Sequence, residues 1–157
     1  MESLPDPAAV TAPPARVVLA DDHPAMLALA TAALAGICTV VGTAVDGHTL
    51  IAAVEQLRPA LAVLDITMPQ LSGLDAARQL HLSHPETRLV FLTVHDDADY
   101  ARAAFATGAL GYVIKSRLAS DLLPAIHAAL AGHRFLSPTV HLDEVARPIS
   151  ILPAKPN

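Results

Sequence analysis

The stretch Leu61-Ala62-Val63-Leu64-Asp65-Ile66-Thr67-Met68-Pro69 decides how the rest of the chain reads. An apolar run of strand length ends in a single carboxylate, Asp65. Pro69 then stops further pairing, and Ser72-Gly73 opens the next segment. A run this apolar suits a strand buried on both faces. Asp65 therefore falls at the carboxyl end of a central strand, the edge where open α/β sheets bind ligands. Taken alone, an Asp there serves equally well as a helix cap or a turn residue. The flanking segments separate the two readings.

Upstream, Arg16-Val17-Val18-Leu19-Ala20 reads as a buried strand ending in Asp21-Asp22, and Cys38 to Thr43 as a second strand. Between them Met26, Leu27, Ala30, Ala33 and Leu34 recur at helical spacing. Pro24 suits the first helical position and Gly36 a C-terminal cap. Asp46-Gly47 turns the chain into a helix over Thr49 to Leu57. Downstream of Asp65, helices are predicted over Leu71–His81, Asp97–Thr107 and Leu118–Ala131. Strands are predicted over Arg88–Thr93 and Leu110–Lys115. Pro124 is awkward in the last helix, because it removes a backbone donor near the first turn. With Ser120 as N-cap, that helix is expected to start late or to bend at Pro124. The Pro/Ala-rich residues 1–15 form a loose arm, residues 16–136 a single domain, and residues 137–157 a Pro-containing tail.

Strands alternating with helices imply a parallel sheet with right-handed crossovers. The expected fold is a flavodoxin-like, doubly wound (βα)5 sheet of five strands in the order 2-1-3-4-5. Composition agrees with a chain that builds its own core: 157 residues, 53% hydrophobic and 16% charged. The formal net charge of −5 argues against a nucleic-acid module. The single cysteine, Cys38, excludes an internal disulfide. The acidic, Pro-rich start is no signal peptide. Pro24 to Val45 carries no formal charge and has the length of a membrane span, yet it reads as helix, turn and strand. The expectation is a cytoplasmic protein with no membrane contact.

In this topology Asp21-Asp22, Asp65, Thr93 and Lys115 converge at one sheet edge. Three carboxylates side by side call for a hard cation with oxygen ligands, and Mg2+ fits. A carboxylate is also a nucleophile toward phosphoryl groups. Mg2+, an ammonium and a hydroxyl together neutralise the charge on a transferring phosphoryl group. Lys115 is the only lysine before residue 155; a compact point charge suits that place.

The segments Leu19-Ala20-Asp21-Asp22-His23-Pro24, Leu64-Asp65-Ile66-Thr67-Met68-Pro69, Leu92-Thr93-Val94-His95-Asp96-Asp97 and Gly111-Tyr112-Val113-Ile114-Lys115 resemble a two-component response-regulator receiver domain, in phrasing the NarL/FixJ class. The resemblance covers about residues 16 to 138. It implies that Asp65 accepts a phosphoryl group from a sensor histidine kinase. It further implies that Asp22, Asp65 and the Thr67 carbonyl hold Mg2+ directly and Asp21 through water. Thr93 would bond a phosphoryl oxygen, Lys115 would pair with the phosphate, and Tyr112 would move inward with Thr93. The output would be a protein contact through the face of the fourth helix, fifth strand and fifth helix carrying Tyr112, as a homodimer or on a downstream protein partner.

The departures are Ser116, where many receivers have proline, and Val94, a larger residue than usual and expected to crowd the water route to the phosphoryl group. The NarL/FixJ class continues into a DNA-binding helix-turn-helix, for which residues 140–157 are too short. A remnant of such a transcriptional regulator is therefore one alternative. A phosphoaspartyl hydrolase of haloacid-dehalogenase type is another. Against it, Thr67 stands where that family needs a second acid, and the acidic pair comes early in the chain. The eight histidines show no metal-ligand spacing and read as solvated loop or helix-face residues.

Overall fold

The computed structural model describes residues 13–142. Its parallel sheet comprises β1 (Arg16–Ala20), β2 (Thr39–Ala44), β3 (Leu61–Leu64), β4 (Arg88–Thr93), β5 (Gly111–Ile114) and β6 (Phe135–Leu136), in the order β2-β1-β3-β4-β5-β6. The helices are α1 (Pro24–Leu34), α2 (Gly47–Leu57), α3 (Gly73–Ser83), α4 (Ala98–Ala106) and α5 (Leu118–Leu130). A 3-10 turn, Lys115–Arg117, precedes α5.

Strand residues alternate between two cores, as a period of two requires. Val18, Ala20, Ala62, Leu64, Phe91, Tyr112 and Ile114 face α2, α3 and α4 through Leu50, Val54, Ala77, Leu80 and Phe105. Val17, Leu19, Leu61, Val63, Val90, Leu92 and Val113 face α1 and α5 through Leu34, Leu122 and Ile126. β3 is buried along its whole length, the state its apolar run demands.

The sheet has six strands, not the five expected. β6 pairs Phe135 with Gly111 and Leu136 with Tyr112. A two-residue strand is too short to show periodicity, and Gly132, with φ of 83°, turns the chain into it. The arm over 1–15 and the tail over 137–157 fall mostly outside the described residues. Within them, Ser137 and Val140 are buried.

α2 begins two residues earlier than its apolar spacing implies. Asp46 is its N-cap, accepting from the Thr49 amide at 2.8 Å, with the Thr49 side chain reaching back in a capping box. α5 also departs from expectation. It runs continuously from Leu118 through Pro124, and Arg117, not Ser120, is its N-cap. Its start is tied down by an Arg117–Asp121 ion pair at 2.7 Å and by Ser120 Oγ donating to Asp121 at 2.9 Å. Ser120 and Pro124 are both exposed, so the carbonyl that loses its helical partner lies at the solvent side, where water replaces it. Among the described residues no helix is long and apolar enough to cross a membrane.

Candidate functional site

The sheet register brings the acidic residues together. Ala20 pairs with Leu64, and the Asp65 amide donates to the Ala20 carbonyl at 3.1 Å, so Asp21 and Asp65 leave neighbouring strands side by side. Thr93 pairs with Ile114 on the far side, and Lys115 follows directly. Gly73 closes the floor. A Cβ there would overlap the Asp65 carbonyl, so α3 approaches Asp65 this closely only with glycine at its first position.

Lys115 bridges the pocket. Its Nζ lies 2.7 Å from Asp21 Oδ2 and 2.8 Å from Asp65 Oδ2, with all three side chains nearly buried. Burial alone would pull the Lys115 pKa down. The bonds from Asp21 and Asp65 and their negative charge outweigh it and hold the ammonium above the ordinary lysine value. Asp65 Oδ1 accepts from the Ile66 amide at 2.7 Å. Asp22 is exposed beside them. Thr93 is fully buried, and its hydroxyl accepts from the His95 amide at 3.3 Å.

Ligand atoms of Asp21, Asp22, His23 and Asp65 lie within 4.8 Å of one another. His23 Nδ1 sits 3.0 Å from Asp21 and 3.1 Å from Asp22, and its side chain is largely exposed. The oxygen donors are therefore the three carboxylates, a set that fits Mg2+ and not a soft metal.

Tyr112 lies inside the domain and not on the contact face where it was expected. It is fully buried, between Phe91 at 6.5 Å and Phe105 at 6.4 Å, and its hydroxyl donates to the His95 carbonyl at 2.7 Å. Burial, then the charges of Asp97 and other neighbours, pushes its phenol well above the ordinary tyrosine pKa. The side chain therefore belongs to the core and presents nothing to a partner. The exposed aromatic nearby is Tyr100, stacked on His95 at 4.1 Å. Val94, the residue expected to crowd the water route, stands 66% exposed at the start of the loop after β4.

Several polar contacts in and around the site were not visible in the sequence. His23 lies among the carboxylates. His95 Nε2 meets Thr67 Oγ1 at 3.0 Å, joining the loops after β3 and β4. His84 is buried, contrary to the solvated reading, and its Nδ1 has no hydrogen-bond partner. Asp121 is also buried. Burial pushes its pKa up, but bonds from Arg117, Ser137 and Ser120 and the Arg117 charge bring it below the ordinary aspartate value. For His23, adjacency to Asp21-Asp22 was an available signal. For Asp121, the Arg117–Asp121 spacing was one.

The fold is thus a doubly wound parallel sheet with a carboxylate cluster, a buried threonine and a bridging lysine at its carboxyl edge. The chain belongs to the response regulator receiver domain family, whose profile matches residues 17–127. Its relatives are response regulators of the NarL and LuxR type. The nitrate/nitrite response regulator protein NarL of Escherichia coli is 37% identical over 127 residues, covering 79% of this chain and 58% of that protein. A crystal structure of a LuxR-family two-component response regulator from Aurantimonas superposes with a TM-score of 0.77 at 32% identity, over 81% of this chain and 92% of that one. The isolated receiver domain of RcsB from Salmonella enterica, solved with the phosphomimetic BeF3-, gives 0.75 at 25% identity, over 81% and 96%. The chain spans about 43–60% of the length of the curated relatives it matches.

Proposed function

We propose that this protein is a cytoplasmic phospho-acceptor switch, modified on Asp65 by a sensor histidine kinase and signalling to a protein partner without a product of its own. The observation that carries the reading is the Lys115 ammonium held between Asp21 and Asp65 in a nearly buried acidic pocket. Asp22, Asp65 and the Thr67 carbonyl would hold Mg2+, with Asp21 through water. When bound, the ion neutralises phosphoryl oxygens. Asp65 Oδ2 attacks phosphorus in line, the bond to the donor's leaving group breaks, and that group departs with its electron pair. Lys115 exchanges its Asp65 contact for a phosphoryl oxygen, and the Thr93 hydroxyl turns toward another. Phosphorylation replaces the single negative charge of the Asp65 carboxylate with a phosphoryl group carrying roughly −1.5 to −2, and any population shift depends on that group favouring one arrangement of Thr93 and Tyr112 over the other.

Residues 16–136 form the receiver in this reading, and its output side is α4, β5 and α5, used for self-association or a downstream partner. Incubation with Mg2+ and a small phosphodonor should add one phosphoryl group, by intact mass. A label that persists in Asp65→Asn would refute the assignment.

A further inference from the structure

The segment after α5 lies across the output side of its own domain. On α4, the Arg134 guanidinium sits over the Phe105 ring, 4.7 Å from its centroid. The Phe135 amide donates to the carbonyl of Leu110, just before β5, at 2.8 Å, and the Ser137 amide to that of Tyr112 on β5 at 2.9 Å. The Ser137 hydroxyl accepts from the Ile114 amide at 3.1 Å and donates to Asp121 Oδ2 on α5 at 2.8 Å. Val140, its amide bonded to the Ser137 carbonyl at 3.0 Å, is buried in the core that also holds Phe105, Tyr112 and Ile114.

The groups this segment holds on β5 belong to the switch. Tyr112 packs inward beneath His95. Ile114 immediately precedes Lys115, whose ammonium touches Asp65. Ser137 has full use of its hydroxyl, with one proton given to Asp121 and one lone pair taken by Ile114. Asp121 is a buried carboxylate that the chemistry at Asp65 does not need, yet it receives bonds from Arg117, Ser120 and Ser137. A buried hydroxyl with two partners in fixed directions tolerates little displacement of either, because hydrogen bonds weaken steeply with angle.

We propose that residues 134–140 are an intramolecular strap, seated on α4, β5 and α5 through Ser137 in the unphosphorylated protein and loosened when Asp65 is phosphorylated. The inference rests on Asp65 being the phospho-acceptor: as Lys115 follows the phosphoryl group, the end of β5 shifts and the Ile114–Ser137–Asp121 alignment fails.

The test is amide hydrogen exchange on the full chain with Mg2+, with and without beryllofluoride, alongside fluorine NMR to detect the bound fluoride. The Ser137 and Val140 amides should exchange about tenfold faster with beryllofluoride bound, the equivalent of one net hydrogen bond. Ser137→Ala should exchange at the faster rate without beryllofluoride and respond little to its binding. Arg134→Ala, a change at the solvent side, should give a smaller increase in exchange and keep the response. Unchanged exchange while fluoride is bound overturns the strap, as does a folded Ser137→Ala with wild-type exchange. Absence of bound fluoride in the wild type overturns the phospho-acceptor reading itself, and the strap's release with it.

Discussion

Replacing Lys115 by methionine tests how the acidic pocket is held. The ammonium makes two charge-assisted bonds, at 2.7 Å to Asp21 and 2.8 Å to Asp65. Each such bond is worth about 1.5–3 kcal/mol. Breaking a buried ion pair on one side costs about 3–5 kcal/mol, because the other charge stays buried without its partner. The apolar stem is kept in Lys115→Met, so lost packing adds little. The expected loss is therefore about 3–5 kcal/mol at neutral pH without divalent cation. The linkage sign is clear. The Lys115 pKa is raised on folding, so its contribution is fully present below the unfolded lysine value near ~10.4 and fades as pH rises through the folded one. The wild-type advantage should shrink in strong alkali, as the ammonium loses its proton. Millimolar Mg2+ should narrow the gap at neutral pH, because carboxylates freed of the ammonium bind the cation more tightly, and a ligand that binds only the folded state stabilises by about 2.7 kcal/mol at a hundred times its Kd. Urea unfolding with linear extrapolation reads both effects. A loss below about 1 kcal/mol, or a gap that Mg2+ leaves unchanged, would refute the ammonium as the pocket's counter-charge.

Gly73→Ala should lose about 3 kcal/mol or more, because backbone of β3 and α3 must separate to admit the methyl; thermal unfolding with a phosphorylation assay measures the loss and its effect on Asp65. Pro124→Ala should stabilise by about 1–3 kcal/mol, the helix-interior penalty of proline relieved at an exposed site. Asp121→Asn should cost about 1–3 kcal/mol at pH 7. Because the folded pKa of Asp121 is depressed, its contribution is full above the unfolded value near ~3.9 and is lost as pH falls; acid titrations followed by circular dichroism should show the variant losing less stability than wild type below about pH 4. Tyr112→Phe, which leaves the His95 carbonyl without its donor, should cost about 1 kcal/mol by urea unfolding and alter the amide spectrum of the loop after β4.

What the chain shows without folding is periodic or local. The apolar runs ending in Asp21, Asp65, Thr93 and Lys115 announce parallel strands with their polar ends on one edge. Their order in the chain brings out the receiver resemblance. Helices α1 to α4 follow from spacing and caps because each signal lies within a few residues of its effect. What the tertiary structure decided involves partners far apart in sequence. Lys115 reaches Asp21 and Asp65 only once the sheet is assembled, Gly73 is required only by the backbone of Asp65, and Tyr112 is internal because Phe91 and Phe105 enclose it. β6 exists because β5 offers it an edge, and two residues carry no period of their own. α5 tolerates Pro124 because Arg117, Asp121 and Ser137 secure its first turn. Propensity is a local quantity of about 3 kcal/mol for that proline, and a buried carboxylate with several donors outweighs it only when the chain has brought residues 117, 121 and 137 together.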